Sequence, residues 1–270
     1  MNATLLRAAQ DNSAAPMVLL HGMLGAPEAW RAVVTELVYP GAVWALPLPG
    51  HGRPALPVAD GFEANVRALA ARITQPSHVV GYSMGGRLAL GLATFTPDML
   101  LTLTAVSAHT GLDVTARNER MLWERAQLDV LLRRGLVEFV DQFEALPIFA
   151  SQTRLNMETL SAQRAQRLGH DALNIARALV ELGSGEMPEL AARLAVGRVP
   201  LHFVAGGLDK KYVAHANAAA RRIPAARVHL IPDAGHNLTL ETPKQLARIL
   251  ARAHHPSLTR GEQTHDRAPV

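Results

Sequence analysis

The chain has 270 residues, a formal net charge of +4 and no cysteine. This length suits one large domain or one core with an inserted subdomain, and the lack of cysteine excludes disulfides, thiolate catalysis and cysteine-ligated metal sites. The arginines that make the chain basic are scattered among apolar helix positions without a basic block. We therefore expect no nucleic-acid partner, whereas an anionic small molecule stays open.

Hydrophobic segments are short throughout the chain. No uninterrupted apolar run approaches the ~18 residues that a membrane span needs, and the apolar patch near the first residues is too short for the core of a signal peptide. The sequence therefore predicts a cytoplasmic protein with no membrane partner. Its oligomeric state is left open.

Apolar runs alternate with helical patterns along the chain. The runs that predict strands are 17–22, 42–50, 78–83, 101–108, 199–207 and 226–236. Helices are predicted at 27–37, 62–73, 84–95 and 243–253. This alternation predicts a mostly parallel sheet with helices on both faces. Each strand ends in Gly, Pro, Ser or His, at the edge where such folds keep their binding loops.

One interval breaks the alternation. Between residues 109 and 197 the pattern is helical, with no convincing strand, which predicts a helical cap over the active face. The expected organisation is a core of residues 1–108 and 198–253, a cap of residues 109–197, and a disordered polar tail of residues 254–270.

The segment Gly81-Tyr82-Ser83-Met84-Gly85 matches the G-x-S-x-G nucleophile elbow, a sharp turn between a strand and a helix. A β-rich run precedes it and a helix-forming run follows, so a glycine-rich turn with an incidental serine is the weaker interpretation. Glycine on each side lets the strand and helix pack closely. Ser83 is therefore the candidate nucleophile, and the backbone N–H of Met84 is a candidate oxyanion donor.

A serine hydroxyl needs a histidine to take its proton. His236 follows the last strand-like run, and Asp209 ends the run before it, which is the chain order of this class of triad. Asp233 is the rival acid, but it lies only three residues before His236 and its carboxylate would have to fold back. The second oxyanion donor is expected at Met23, on the loop after the first run.

These motifs are shared by the α/β-hydrolase superfamily, and some segments are more specific. Residues 81–87, GYSMGGR, resemble the G-Y-S-[LM]-G-G-R of the 2-succinyl-6-hydroxy-2,4-cyclohexadiene-1-carboxylate synthases of menaquinone biosynthesis. Residues 109–112 resemble that family's H-P-G-L, and residues 147–151 its P-V-F-A-S. The resemblance extends from about residue 19 to residue 243.

The resemblance implies an α/β-hydrolase fold with a helical cap insertion and a lyase reaction without metal or cofactor. In that reaction the triad acts as base and pyruvate leaves a succinyl-cyclohexene substrate. Residues 116–120 are similar to an R-x-E-R segment whose first arginine binds substrate. The substrate-binding residues implied are Tyr82, Arg87, Arg117, Arg120, Arg164 and Lys211.

The residue types leave other functions open. A carboxylester hydrolase would use the same triad, and a non-catalytic binding protein ranks last because it would need a broken one. Cap arginines can also simply solvate helix faces. A substrate with several carboxylates requires cationic groups in the site, so the lyase interpretation predicts that at least two of Arg87, Arg117, Arg120 and Arg164 point into the cavity above Ser83.

Overall fold

The apolar runs form one seven-stranded sheet. The computed structural model describes residues 3–254. In chain order the strands are β1 (Thr4–Arg7), β2 (Met17–Leu20), β3 (Val43–Leu46), β4 (Ser77–Tyr82), β5 (Leu100–Val106), β6 (Leu201–Gly206) and β7 (Arg227–Ile231). Their spatial order is β1-β3-β2-β4-β5-β6-β7, and only β1 runs antiparallel to its neighbour. The mostly parallel sheet predicted from the sequence is confirmed.

Edge strand β1 is absent from the sequence-based prediction. Its four residues are mostly half-buried, with Leu5 exposed, so they present no continuous apolar run. The inner strands differ, because a parallel strand covered on both faces is apolar throughout. All residues of β2 and β6 are buried.

Helices cover both faces of the sheet. They are α1 (Arg31–Glu36), α2 (Phe62–Ala70), α3 (Met84–Phe95), α4 (Val114–Glu144), α5 (Met157–Leu168), α6 (Ala172–Leu182), α7 (Ala191–Val196), α8 (Lys210–Arg222), α9 (Leu238–Glu241) and α10 (Pro243–His254). Successive strand residues point to opposite faces. Met17 and Leu19 therefore pack with α1 and α10, whereas Val18 and Leu20 pack with α2 and α3. No helix within residues 3–254 is both long and apolar enough to cross a membrane.

The interval from residue 109 to residue 197 is helical, with α4 to α7 and a 3-10 segment at Pro147–Arg154. Helix α4 breaks at Gly135, whose φ of 85° is not helical. We use the word cap for α4, α5, α6 and the 3-10 segment. Buried side chains of α4 and α6 form a small cluster there with Leu24 of the core. Helix α7 instead packs on α3 and α8, and its Leu194 joins the core cluster. The structure thus ends the cap before α7, earlier than the predicted boundary.

The C-terminal helix extends one residue beyond the predicted core. His254, which the sequence analysis assigns to the tail, is the last residue of α10 and is buried. Its Nε2 lies 2.9 Å from Thr104 Oγ1, and its Nδ1 hydrogen-bonds Thr102 Oγ1. The assignment to the tail was wrong because the sequence pattern does not show that two threonines of β5 satisfy this imidazole. The rest of the predicted tail, residues 255–270, lies outside the described residues.

The packing of helix α10 against the sheet should contribute to the stability of the fold. Leu250 is fully buried there, and replacing it with Ala should lower the free energy of unfolding by about 2 to 5 kcal/mol, since contacts are lost and a cavity remains. Leu173→Ala is the control, because that leucine is 71% exposed on α6. Urea unfolding of both variants measures the difference. Equal losses would contradict the assigned packing.

Candidate catalytic site at the carboxyl ends of the strands

Ser83 lies between β4 and α3 in a strained backbone conformation, with φ 52° and ψ −111°. Non-glycine residues rarely adopt such a conformation, and it concentrates at functional turns. The close approach next to it requires glycine. A Cβ on Gly85 would lie 2.4 Å from the carbonyl oxygens of Leu20 and His21. The glycine therefore brings α3, Ser83 and the loop after β2 together.

Ser83, His236 and Asp209 are brought together in the order expected from the sequence. Ser83 Oγ is 3.1 Å from His236 Nε2, and His236 Nδ1 is 2.7 Å from Asp209 Oδ2. Only 1% of His236 is exposed, and Asp209 is also buried. The rival Asp233 is exposed on the same loop as His236. This geometry lets the imidazole accept the serine proton while the carboxylate orients the ring.

Met23 and Met84, the two expected oxyanion donors, line the same cavity as Ser83. Within residues 3–254 neither backbone N–H has a hydrogen-bond acceptor, although the neighbouring Gly85 N–H donates to His21 O. Unused backbone donors beside a nucleophile are what a developing oxyanion requires.

A row of three buried histidines supports the loop that carries Met23. The Leu48 N–H donates to His21 Nε2 and the Leu24 N–H to His51 Nε2, each at 3.1 Å. The third ring, His170 of the cap, accepts from the Gly52 N–H. Neighbouring ring centroids are 5.1 and 5.2 Å apart. Each ring serves as an acceptor, so each must be neutral. Burial favours this, because it lowers the pKa of His21 to about 3.

A cavity of about 910 Å³ lies above Ser83, between the core and the cap. The cap lines it with apolar side chains that include Phe139, Phe143, Leu146, Ile148 and Phe149. Five cationic side chains also line it, and these are Arg31, Arg87, Arg120, Arg167 and Lys211. Three glutamates, Glu28, Glu124 and Glu158, also line the cavity, so the site combines an apolar wall with an excess of cationic groups.

Arg87 lies one turn after Ser83 on α3 and is buried. Its Nη1 donates to the carbonyls of Leu182 at 2.8 Å and Gly183 at 3.1 Å. Within the described part of the chain no carboxylate forms an ion pair with it. Burial lowers the pKa of Arg87 to about 10. It therefore stays charged at neutral pH.

The resemblance implies that both arginines of segment 116–120 bind substrate, but only one of them lines the cavity. Arg117 does not line the cavity; its Nε donates to the carbonyl of Gly185 at 2.6 Å. Arg120 lines the cavity instead, with Nε 2.7 Å from Glu124 Oε1 and its guanidinium carbon 4.1 Å from the ring centroid of Trp123. The two arginines are three residues apart, and the sequence pattern did not fix which of them faces inward.

The expectation for Arg164 is also corrected. This side chain forms surface ion pairs with Asp141 at 2.6 Å and Glu144 at 2.7 Å, and it does not line the cavity. Arg167, one turn later on α5, does so instead. It is buried, pairs with Glu144 at 2.9 Å, and its guanidinium carbon lies 5.3 Å from the ring of Phe149.

Aromatic rings enclose His236. The ring of Tyr82, a predicted substrate contact, lies 5.5 Å from the imidazole centroid and lines the cavity. Tyr212, which the sequence analysis missed, is closer at 4.6 Å, and Phe149 of the cap is at 5.8 Å. Burial raises the pKa of both tyrosines. The available signal for Tyr212 was its place three residues after Asp209, at the start of α8.

Comparison with known proteins identifies the family of the chain. Residues 17–249 match the model of the alpha/beta hydrolase family. The chain belongs to that family. It is 31% identical to the 2-succinyl-6-hydroxy-2,4-cyclohexadiene-1-carboxylate synthase of Enterobacter sp. (strain 638), covering 87% of this chain and 90% of that protein. The protein of that name from Salmonella heidelberg (strain SL476) is also 31% identical, with 87% and 92% covered.

Solved structures give the same result. MenH from S. aureus superimposes with a TM-score of 0.85 at 29% identity, covering 93% of this chain and 97% of that one. A thermophilic esterase from Thermogutta terrifontis has a TM-score of 0.76 at 24% identity, covering 93% and 94%, and this likeness concerns the fold alone. The resemblance to the synthases that the sequence predicts is confirmed.

The neutral histidine row predicts acid sensitivity. Because burial lowers the folded-state pKa of His21 to about 3, and lowers those of His51 and His170, the unfolded chain binds protons below about pH 6.5 that the folded chain does not. The free energy of unfolding should fall as the pH drops from 7 to 5, with a limiting slope of about 1.4 kcal/mol per pH unit for each such histidine. Urea unfolding at several pH values measures this slope.

His170→Asn is the matched variant, because an amide oxygen can accept a hydrogen bond but does not titrate. We expect a shallower dependence of stability on pH in this variant than in the wild type. The same slope in both proteins would exclude His170 as one of the acid-sensitive groups.

Proposed function

We propose that this protein eliminates pyruvate from 2-succinyl-5-enolpyruvyl-6-hydroxy-3-cyclohexene-1-carboxylate, giving 2-succinyl-6-hydroxy-2,4-cyclohexadiene-1-carboxylate in menaquinone biosynthesis. The named relatives support this reaction. The observation that carries the proposal is the group of cationic side chains that lines the cavity, which we call the cationic wall and which includes Arg87, Arg120 and Lys211. Arg87 matters most, because it is buried close to Ser83 and no carboxylate of the described chain pairs with it directly.

Charge separates this reaction from neutral ester hydrolysis. Burying a guanidinium without a counter-ion costs free energy that an uncharged substrate does not return. The proposed substrate carries three carboxylates, one on the ring, one on the succinyl arm and one on the enolpyruvyl group. Arg87, Arg120 and Lys211 all line the cavity above the serine, where they can supply the counter-charges in bidentate or point contacts.

The triad supplies a base. His236 takes the Ser83 hydroxyl proton, and the serine oxygen removes the proton from ring carbon 2, next to the succinyl carbonyl. Negative charge then builds on that carbonyl oxygen, where the N–H groups of Met23 and Met84 can stabilise it. The electron pair forms the bond between carbons 2 and 3, the existing double bond shifts to carbons 4 and 5, and the bond from carbon 5 to oxygen breaks. The departing enolate takes up a proton and becomes pyruvate.

Carboxylester hydrolysis is the second candidate, because the same triad and the apolar cap wall suit an acyl chain. The two functions predict different substrates. Purified protein should release pyruvate from the succinyl-cyclohexene substrate, measured with lactate dehydrogenase and NADH. Rapid hydrolysis of p-nitrophenyl acetate without pyruvate release would contradict the lyase assignment and support the hydrolase assignment.

Replacing Ser83 with Ala should lower the turnover number for pyruvate release by several powers of ten, since the group that removes the ring proton is lost. The variant should still bind substrate, because the cationic wall is intact. Steady-state kinetics and a binding titration measure the two effects. A variant that retains wild-type turnover would exclude Ser83 from the chemistry.

Arg87→Met tests the charge argument and keeps most of the side-chain volume. We expect kcat/KM for the anionic substrate to fall by a factor that corresponds to roughly 2 to 4 kcal/mol of lost transition-state stabilisation, the scale for a desolvated charge contact. The hydrolysis of p-nitrophenyl acetate should change little. Arg164→Met is the matched control, because Arg164 lies outside the cavity in surface ion pairs. Equal losses in both variants, or equal losses on both substrates, would contradict a role for Arg87 in binding carboxylates.

A further inference from the structure

A tight turn after α6, residues 182–185, has its polar backbone groups bound by charged side chains. The carbonyls of Leu182 and Gly183 accept from Arg87 Nη1. The N–H of Ser184 donates to Glu124 Oε1 at 2.7 Å, and that of Gly185 donates to Glu124 Oε2 at 3.2 Å. Arg87 belongs to core helix α3 and Glu124 to cap helix α4. The turn therefore joins core and cap through opposite charges.

Glu124 is buried, and a further hydrogen bond completes its environment. Its Oε1 also accepts from Arg120 Nε at 2.7 Å, one helical turn earlier. The guanidinium of Arg120 rests against Trp123 on its other side. In residues 3–254 no acceptor contacts Nη1 or Nη2 of Arg120. This side chain is thus held by its Nε and its ring contact, while its two terminal nitrogens remain available for a bidentate carboxylate.

The turn fits closely around the carboxylate of Glu124. A Cβ on Gly183 would lie 2.5 Å from Glu124 Oε2, closer than real contacts allow. Glu124 also lines the cavity with Arg87 and Arg120. Its negative charge lies beside two cations that would otherwise repel each other. The carboxylate of Glu124 therefore binds Arg120 and the turn directly, and the turn links it to Arg87.

We propose that Glu124 is a positioning residue that aims Arg120 at a substrate carboxylate and, through turn 182–185, fixes Arg120 relative to Arg87. This inference rests on the proposed function, because it assigns a substrate carboxylate to Arg120. A purely structural glutamate would only hold α4 against the turn. A positioning residue also couples energetically to Arg120 in substrate binding, and that coupling is measurable.

Glu124→Gln tests the coupling, because the amide keeps the shape and can accept from a backbone N–H but loses the charge that orients Arg120. We expect KM for the anionic substrate to rise about tenfold while kcat changes less than about threefold, the pattern for lost ground-state binding. In an Arg120→Met background the same substitution should change KM by less than about twofold, since its target is absent. Asp129→Asn is the control, because Asp129 pairs with Arg133 at the same spacing on the exposed face of α4.

Glu124→Asp guards against a variant that fails to fold. It keeps the charge and should raise KM less than Glu124→Gln does, with thermal unfolding followed for every variant. A tenfold rise in KM from Glu124→Gln in both the wild-type and Arg120→Met backgrounds would overturn the positioning role, as would no rise in either. If the wild type releases no pyruvate, the proposed function itself fails. If the wild type releases pyruvate but Arg120→Met alone leaves KM unchanged, the proposed function stands and the role of Glu124 toward a substrate carboxylate is overturned.

Discussion

A buried guanidinium that forms no direct ion pair within the described chain links the core to the cap beside Ser83. Arg87 follows Ser83 by one turn of α3, and its Nη1 binds the two carbonyls at the end of α6. Carbonyl groups satisfy its hydrogen bonds, and no described carboxylate pairs with it directly, although the nearby Glu124 carboxylate favours its charged form. The cap is therefore linked, next to Ser83, to the residue that we propose binds a substrate carboxylate. The apolar wall, the turn 182–185 and Glu124 are arranged around this group.

Burial lowers the pKa of both a histidine and an arginine near Ser83, but the two side chains have different charges at pH 7. Desolvation disfavours the charged form of both histidine and arginine. It lowers the pKa of His21 from 6.5 to about 3 and that of Arg87 from 12.5 to about 10. The histidine therefore remains a neutral acceptor for a loop N–H, whereas the arginine still carries its charge at pH 7. The same effect therefore keeps His21 neutral but is too weak to remove the charge of Arg87 at pH 7.

The sequence predicted the strand-end residues better than the cap residues. Ser83, Asp209 and His236 each follow an apolar run, and parallel strands bring such positions to one edge of the sheet. The cap side chains depend on helix phase. The cavity faces of α4 and α5 carry charged side chains, Arg120 and Glu124 on α4 and Arg167 on α5, as their outer faces do, so hydrophobic periodicity does not identify them. For this reason Arg117 and Arg164 were predicted to line the cavity, and Arg167 was missed.

The surroundings of His236 bear on the choice between elimination and hydrolysis. Tyr82, Tyr212 and Phe149 surround the imidazole, and only 1% of the residue is exposed. Ester hydrolysis needs a water molecule activated at this ring after the serine has been acylated, whereas elimination needs only a proton relay between substrate, serine and histidine. Closing the ring away from solvent therefore favours the reaction that uses no water. Phe149 belongs to the cap, so the cap contributes one of the rings that enclose the imidazole.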